Sequence, residues 1–423
     1  VTSATSPGGQ PDPSISHGRA AREARPGQAR RIVVVGSGTR FLSGITVYTV
    51  RLAEALADAG VRASVLTMRQ LLPTFLYPGK ARVGTDLTDL GDRGKVPTFD
   101  GIDWWWLPSL ALAARFLRRQ RPDTIVLQWW TGTVFHSYLA LSLFARALGA
   151  RVVIEFHEVQ DTGEIRLPLV ARYSHMVGAA VIRLAAGFTV HSEFDRDLLT
   201  RHWDLRGKPV AVLPHGPYDH YQAKGAMAPV LREAPEDACN ILFFGIIRPY
   251  KGLEDLIAAF ERLSPTEVTG YWLTVVGETW EGHTLPGEMI ARSPYRDRIT
   301  FVNRYVHDSE LDAYLRGADA AVLPYRRSSL SGPLHVAMGY GVPIVLTETG
   351  GNIESAAGYA GILLMPVGDV AVLTERLREL PALRGTRFEH PRSWSATADA
   401  YRRFLEQLEE RVAGRESSVG RAT

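Results

Sequence analysis

Four short stretches hold residue types whose spacing could do chemistry. In Phe243-Phe244-Gly245-Ile246-Ile247-Arg248-Pro249-Tyr250-Lys251-Gly252, a strand-like apolar run gives way to two cations three positions apart. Arg248 can grip a phosphate bidentately, and Lys251 adds a point charge. Pro249 stiffens the turn and Gly252 permits close approach of another backbone. A basic pair on an exposed turn is usually only solvated, so it needs support from its surroundings. Pro324-Tyr325-Arg326-Arg327-Ser328-Ser329-Leu330-Ser331-Gly332-Pro333-Leu334 supplies some, because Pro333 suits the first helical position and Ser331 or Gly332 its cap. The head of such a helix offers free amides and about half a positive charge to an anion. Capping alone explains the Ser and the Pro, but not why both turns follow a strand.

The third stretch is Gly36-Ser37-Gly38-Thr39-Arg40-Phe41-Leu42-Ser43-Gly44, between a strand and a helix. A dinucleotide fingerprint would read G-x-G-x-x-G, and here Phe41 breaks it, with no acidic residue ending the next strand. A nicotinamide site is therefore disfavoured, leaving either an anion site or a tight turn. The fourth is Glu155-Phe156-His157-Glu158, at the end of an apolar strand. A lone histidine is more often structural than catalytic. This one sits at a strand terminus, and an imidazole of ordinary pKa, about 6.5, could donate to a hydroxyl or phosphate near neutrality.

The elements that must position these stretches alternate. Strand-length apolar runs at 31–35, 63–67, 124–128, 152–156, 188–191 and 210–214 are separated by helical patterns such as 44–59 and 135–148. A second series has strands at 240–244, 272–276, 299–302, 320–323, 343–346 and 362–365, with helices at 253–263, 309–318, 333–340 and 370–380. Alternation of this kind means parallel sheets with crossover helices. Two such series predict an α/β chain of two doubly wound, Rossmann-like domains, 31–217 and 238–390, joined by a linker over 218–237. Ligands in such sheets sit at the carboxyl ends of strands, so two facing sheets put the site in the cleft between them. Residues 70–103 show no clear period and read as a long functional loop. A last amphipathic run, 395–412, repeats Ala398, Tyr401, Leu405 and Leu408 on one face and is expected to pack back on the first domain.

Length and composition bound the rest. A chain of 423 residues exceeds what one core usually fills. The 48 Lys+Arg against 45 Asp+Glu leave a net charge of +3, too little to argue for nucleic acid. Cys239 is the only cysteine, so no intrachain disulfide can form. Residues 1–30 lack an apolar signal core and read as a disordered arm, as does the tail at 413–423. No apolar run reaches membrane-spanning length, and a cytoplasmic location is the expectation.

Together these residues resemble the retaining GT-B glycosyltransferases of family 4, the glycosyl transferases group 1, over roughly 31–412. Ser43-Gly44 before Leu52-Ala53-Glu54-Ala55-Leu56, the strand ending at His157, Val190-His191-Ser192-Glu193 and Pro214-His215-Gly216 are similar to that family. So are Lys251-Gly252-Leu253, Val276-Gly277-Glu278 and Gly341-Val342-Pro343-Ile344-Val345 leading to Gly350-Gly351. The resemblance implies a GT-B fold and transfer of a hexosyl group from a UDP- or GDP-sugar to a hydroxyl of a glycan, glycolipid or secondary metabolite. It implies catalytic roles for His157, Arg248 and Lys251. Donor contacts are implied at Ser43, Gly44, Gly245, Arg248, Lys251, Gly277, Tyr305, Ser331, Gly332, Pro333 and Leu334. The acceptor belongs to the first domain, where Trp129, Trp130, Thr131 and Glu158 are candidates, although a buried core explains Trp129 and Trp130 equally well.

Two departures matter. The family usually carries two glutamates where this chain has Ser328 and Val336, and its phosphate arginine usually follows the glycine at 245, where Ile246 stands. Arg248 is the plausible substitute. The leaving diphosphate would be stabilised by Arg248, Lys251 and the helix amides at 331–334, with no metal and no other cofactor. Retention by same-face attack needs no protein nucleophile, in keeping with the lack of a matched carboxylate pair. Arg115, Arg118, Arg119 and Arg121 beside apolar Leu110–Phe116 have two readings, a solvated helix face and a peripheral contact with an anionic membrane. The rival functions are a nucleotide-sugar epimerase on the same fold and a non-catalytic sugar-nucleotide-binding subunit.

Overall fold

A computed structural model of the chain describes residues 29–38, 44–70, 95–159, 168–219, 229–280, 282–328 and 331–419. Among the described residues the first domain is a seven-stranded, all-parallel sheet. Its strands are β1 (Arg31–Ser37), β2 (Arg62–Gln70), β3 (Thr98–Asp103), β4 (Thr124–Trp129), β5 (Arg151–Phe156), β6 (Gly187–Val190) and β7 (Val210–Val212). Its helices are α1 (Gly44–Asp58), α2 (Ser109–Gln120), α3 (Phe135–Ala147), α4 (Pro168–Leu184) and α5 (Glu193–His202). The strand order β3-β2-β1-β4-β5-β6-β7 reverses direction between β1 and β4, the mark of a doubly wound sheet.

The second domain repeats the plan with six parallel strands: β8 (Cys239–Phe244), β9 (Tyr271–Val276), β10 (Ile299–Val302), β11 (Ala320–Leu323), β12 (Ile344–Thr347) and β13 (Ile362–Met365). Helices α6 (Leu253–Glu261), α7 (Leu285–Arg292), α8 (Asp308–Gly317), α9 (Gly332–Gly339), α10 (Asn352–Ala356) and α11 (Val370–Glu379) cover it. The order β10-β9-β8-β11-β12-β13 reverses between β8 and β11.

Strand side chains alternate between two buried faces, which is why these runs are apolar throughout. Val33 and Val35 face a core shared with Ala113, Tyr138 and Val181 of the helices on one side. Ile32 and Val34 face the other side, against Tyr48, Leu52 and Leu56 of α1. In the second domain Ile241 and Phe243 pack on Leu256 and Leu373, while Leu242 and Phe244 pack on Leu315 and Leu334.

The final helix, α12 (Trp394–Val419), leaves the second domain and lies on α1. Its Trp394, Ala398, Tyr401, Phe404, Leu405 and Leu408 complete the α1 face of the first core. The helix continues beyond 412 into the segment expected to be a disordered tail, where Ala413, Arg415 and Glu416 are good helix formers. β3 corrects the reading of 70–103 as one loop. It is a polar edge strand in which Ile102 is buried and Phe99 packs on the core, too little alternation for a sequence signal. Residues 1–28, 71–94 and 220–228, with their expected arm, loop and linker, lie outside the described residues. Among the described residues no helix is long and apolar enough to cross a membrane.

Candidate active site

The crevice of the second sheet opens where β8 and β11 lie side by side. After β8 the chain turns at Gly245 (φ +98°), makes one 3₁₀ turn over Pro249–Lys251 and leaves it at Gly252 (φ +67°). A Cβ on Gly245 would stand 3.2 Å from Lys251 Nζ and 3.5 Å from Pro333 Cγ. Bare backbone, an ammonium group and the first turn of α9 therefore converge on one point. Gly277 (φ +151°) backs this turn so closely that a Cβ there would lie 2.1 Å from the Gly245 carbonyl oxygen.

Lys251 is only 7% exposed, with Nζ 5.3 Å from the centre of the Tyr325 ring. Burial, followed by the neighbouring Arg248, pushes its pKa down from 10.5 to about 7. The half-buried Arg248 guanidinium stacks 4.0 Å over Trp280. Among the described residues neither cation pairs with a carboxylate. Arg326 behaves differently: it donates to both Asp255 oxygens at 2.8 and 3.0 Å and is neutralised there. At the head of α9 the Ser331 hydroxyl accepts from the Leu334 amide at 3.2 Å, and Pro333 has no N–H. Among the described residues, the Ser331 and Gly332 amides at this helix head meet no acceptor and are free to meet an anion.

The opposite wall comes from the carboxyl ends of β5, β6 and β7. Glu155 is fully buried, accepting from Tyr48 Oη at 2.8 Å and from Gln128 Nε2 at 2.6 Å. His157, 4% exposed, is held through Nε2 by Gln128 Oε1. His191 lies with Nε2 3.5 Å from Glu155 Oε1. Burial holds the His157 imidazole well below its usual range, with His191 adding to the effect. His215 follows β7 and stacks on His335 of α9, ring centres 4.5 Å apart, across the domain boundary. Tyr218 also bridges it: a Cβ on Gly44 would lie 2.7 Å from Tyr218 Oη, and one on Gly332 4.0 Å from it. The heads of α1 and α9 thus meet around one phenol. Further out, the Glu354 carboxylate of α10 accepts from the first two amides of α5, Glu193 at 2.6 Å and Phe194 at 2.9 Å.

The two domains find matches among known proteins. Residues 43–216 match the family described as glycosyl transferase 4-like domain, and residues 238–382 match glycosyl transferases group 1. The chain is a group 1, family 4-like glycosyltransferase. The glycosyltransferase is 26% identical, over 79% of its length and 81% of the relative's, to 2-deoxystreptamine N-acetyl-D-glucosaminyltransferase of Streptomyces fradiae. It is 24% identical, over 79% and 88%, to 2-deoxystreptamine glucosyltransferase of Streptomyces kanamyceticus. Among solved structures, sucrose-phosphate synthase of Thermosynechococcus elongatus aligns with a TM-score of 0.60 at 17% identity, over 93% of this chain and 100% of that one. Anabaena Alr3699/HepE in complex with UDP-glucose aligns with a TM-score of 0.56 at 15% identity, over 92% and 99%. These two share the GT-B fold.

In this glycosyltransferase the structure brings Gly44, Gly245, Lys251, Gly332, Pro333 and His335 to one cleft, with Arg248 close enough to Lys251 to act on its charge and Gly277 backing the Gly245 turn. Ser43 lies outside the described residues. Tyr305 is half-buried three positions after β10. Val336, at the second missing glutamate position, is 5% exposed in the core, and Ser328 is half-buried beside Gly350. Trp129 is no acceptor surface. It is 3% exposed among Phe135, Phe156 and Trp203, because its position on a central strand turns the ring into the core. Trp130 is half-buried, Thr131 caps a 3₁₀ turn by accepting from Thr133 N, and Glu158 is exposed. Burial chiefly pushes up the Tyr250 phenol across the cleft, and Glu158 adds to it. A strand-end His157 with a catalytic role should line the cleft; its ring lies beneath the surface instead. Gly36 and Gly38 serve packing, since a Cβ on Gly36 would meet Thr49 Oγ1 at 2.1 Å and one on Gly38 the Met68 carbonyl oxygen at 2.7 Å. Arg115, Arg118, Arg119 and Arg121 line a hollow of about 600 Å³ with Arg31 and Arg62, at the amino ends of the strands and away from the cleft. Tyr48, Tyr218, Trp280 and His335 were missed, having only the signal of ordinary core residues.

Proposed function

We propose that this enzyme transfers a hexosyl group from a UDP-sugar, with retention, to a hydroxyl of an aminocyclitol or a similar amine-bearing secondary metabolite. The observation that carries the donor half is the pair of unpaired cations, Arg248 and buried Lys251, beside the head of α9. A buried ammonium without a carboxylate is costly, and a diphosphate supplies what it lacks. As the bond from the anomeric carbon to the phosphate oxygen breaks, its electron pair goes to the diphosphate. Arg248, Lys251 and the Gly332 amide stabilise that charge, with no divalent metal at the diphosphate. The acceptor oxygen attacks from the same face, and its proton passes to the departing phosphate oxygen.

For the acceptor, support comes from the activities of the two Streptomyces relatives and from Glu158, an exposed carboxylate one position past His157. A carboxylate there suits an ammonium group. Trp130 and Thr131, on the neighbouring strand end, flank the same side. His157 acts as a positioning residue beneath the donor sugar.

A thermal-shift panel of UDP-, GDP- and dTDP-sugars identifies the donor, since a ligand that binds the fold raises its melting temperature. Mass spectrometry of the protein with 2-deoxystreptamine and each stabilising donor then reads transfer. A product with one added hexosyl mass and α-anomeric proton coupling supports the proposal. Stabilisation by a donor with release of free diphosphate nucleotide but no amine-bearing acceptor glycosylated overturns the acceptor half.

A further inference from the structure

Beneath the cleft floor, three neighbouring buried histidines each carry a ring nitrogen that no hydrogen-bond partner meets. The His191 Nδ1–H donates to the Leu213 carbonyl at 3.2 Å, which leaves the lone pair on Nε2. The His215 Nδ1–H likewise donates to the Gly216 carbonyl at 2.6 Å, leaving Nε2. Gln128 Nε2 donates to Glu155, so Gln128 Oε1 takes the His157 Nε2–H and the remaining lone pair is on Nδ1. His157 Nδ1, His191 Nε2 and His215 Nε2 are all buried and have no hydrogen-bond donor. The donors close by, Tyr48 Oη, Gln128 Nε2 and Tyr401 Oη, are directed to Glu155. Glu155 in turn is fully buried, and among the described residues no lysine or arginine pairs with it. A set of buried acceptors that no donor meets needs an explanation; Arg392, the cation whose field reaches His191, makes its hydrogen bond to the Glu354 carbonyl and none to these rings.

We propose that Glu155, His157 and His191 form a binding site for a single divalent transition-metal ion of the zinc class, its fourth position taken by a water held against the neighbouring His215. Ligand atoms of Glu155, His157 and His191 lie within 4.8 Å of one another. Around zinc, ligands at about 2.0 to 2.2 Å in a tetrahedron stand roughly 3.4 Å apart, and Glu155 Oε1 lies 3.5 Å from His191 Nε2. The ring centres of His157 and His191 are 4.9 Å apart, and those of His191 and His215 5.0 Å. The supporting layer is also that of a metal site. Backbone carbonyls hold the far nitrogens of His191 and His215, Gln128 holds that of His157, and Tyr48 donates to the carboxylate. An imidazole and carboxylate set favours zinc over magnesium or calcium. The ion ties together the carboxyl ends of β5, β6 and β7 under the cleft and fixes the orientation of His157. It is separate from the diphosphate cations of the second domain, so the site is independent of which sugar is transferred.

The test uses the full chain, freed of metal with a strong chelator and then titrated with Zn²⁺, Co²⁺ or Mg²⁺ alone. The expected result is about one Zn²⁺ per chain by elemental analysis after gel filtration, with a melting temperature raised by Zn²⁺ and not by Mg²⁺. Co²⁺ should give the intense visible bands of a four-coordinate site. Those bands should be lost in His191→Gln and in Glu155→Gln. If either variant fails to fold, the wild-type titration still decides. Less than ~0.1 Zn²⁺ per chain after equilibration, or a Co²⁺ spectrum no different from the ion in buffer, overturns the proposal and assigns the volume to ordered water. So does an undiminished cobalt spectrum in folded variants.

Discussion

Replacing Lys251 by methionine keeps the length of the side chain and removes its charge, and the structure dictates two opposite consequences. In the ligand-free protein the lysine pKa has fallen from 10.5 to about 7, mainly through burial. At about 1.4 kcal/mol per pH unit, that fall corresponds to roughly 5 kcal/mol against the charged form. Because the folded pKa lies below the unfolded one, the unfolded chain holds more protons between pH 7 and 10.5. Stability therefore rises with pH through that window, and the cost is fully present below about pH 7. Lys251→Met removes the cost. Even half of it, about 2 kcal/mol, should raise the melting temperature at neutral pH by about 4 °C or more. Donor binding should move the other way. A diphosphate restores the lysine proton, so wild-type affinity should be best below about pH 7 and weaken by up to ~10-fold per pH unit above it. Isothermal titration in two buffers of different ionisation enthalpy should show uptake of nearly one proton per donor at about pH 8. Lys251→Met should lose that uptake, lose the pH dependence and lose kcat/KM by roughly 10²-fold or more. A variant that melts below the wild type, together with donor affinity flat from about pH 6 to 9, would falsify the view of Lys251 as a buried cation kept for the diphosphate.

Arg248→Ala should lower kcat by roughly 10²-fold, and Arg248→Lys should recover only part, because an ammonium cannot reproduce the stacked, planar fork over Trp280. Transfer should continue in excess EDTA over an assay of minutes; a loss that Mg²⁺ or Mn²⁺ restores, and Zn²⁺ does not, would put a metal at the diphosphate after all. His157→Ala should cut kcat strongly in a chain that still folds, with donor KM changed much less, so full activity would remove it from the site. Truncation before Ser393 deletes Trp394, Tyr401, Phe404 and Leu408 from the α1 core. At about 25 cal/mol per Å² of apolar surface, that loss is several kcal/mol, so the truncated chain should melt many degrees lower and transfer nothing; unchanged melting would show that α12 is dispensable.

The residues proposed to grip a diphosphate were legible in the sequence because their signals are local. Gly245, Lys251 and Gly252 fall within one turn, and Ser331-Gly332-Pro333 spells a helix start whatever surrounds it. The alternation of β1 to β13 with helices was readable for the same reason, since strands buried on both faces are apolar without interruption. β3 escaped because an edge strand with a polar face carries no such run.

What only the tertiary structure decided depends on residues distant in the chain. Trp129 and Trp130 are adjacent in sequence, yet the pleat buries one ring and leaves the other half-exposed, and an aromatic pair alone cannot say which. His157, His191 and His215 end three successive strands whose order in the sheet makes them neighbours, and Tyr48 reaches them from α1. Each looks like an isolated core residue until the strands are laid side by side. The lowered pKa of Lys251 in the free protein, the meeting of α1 and α9 around Tyr218 and the grip of Glu354 on α5 are likewise properties of burial and domain packing. A one-dimensional pattern carries the composition of each wall. The desolvation and the opposing charges that set what a wall can do appear only when the walls face one another.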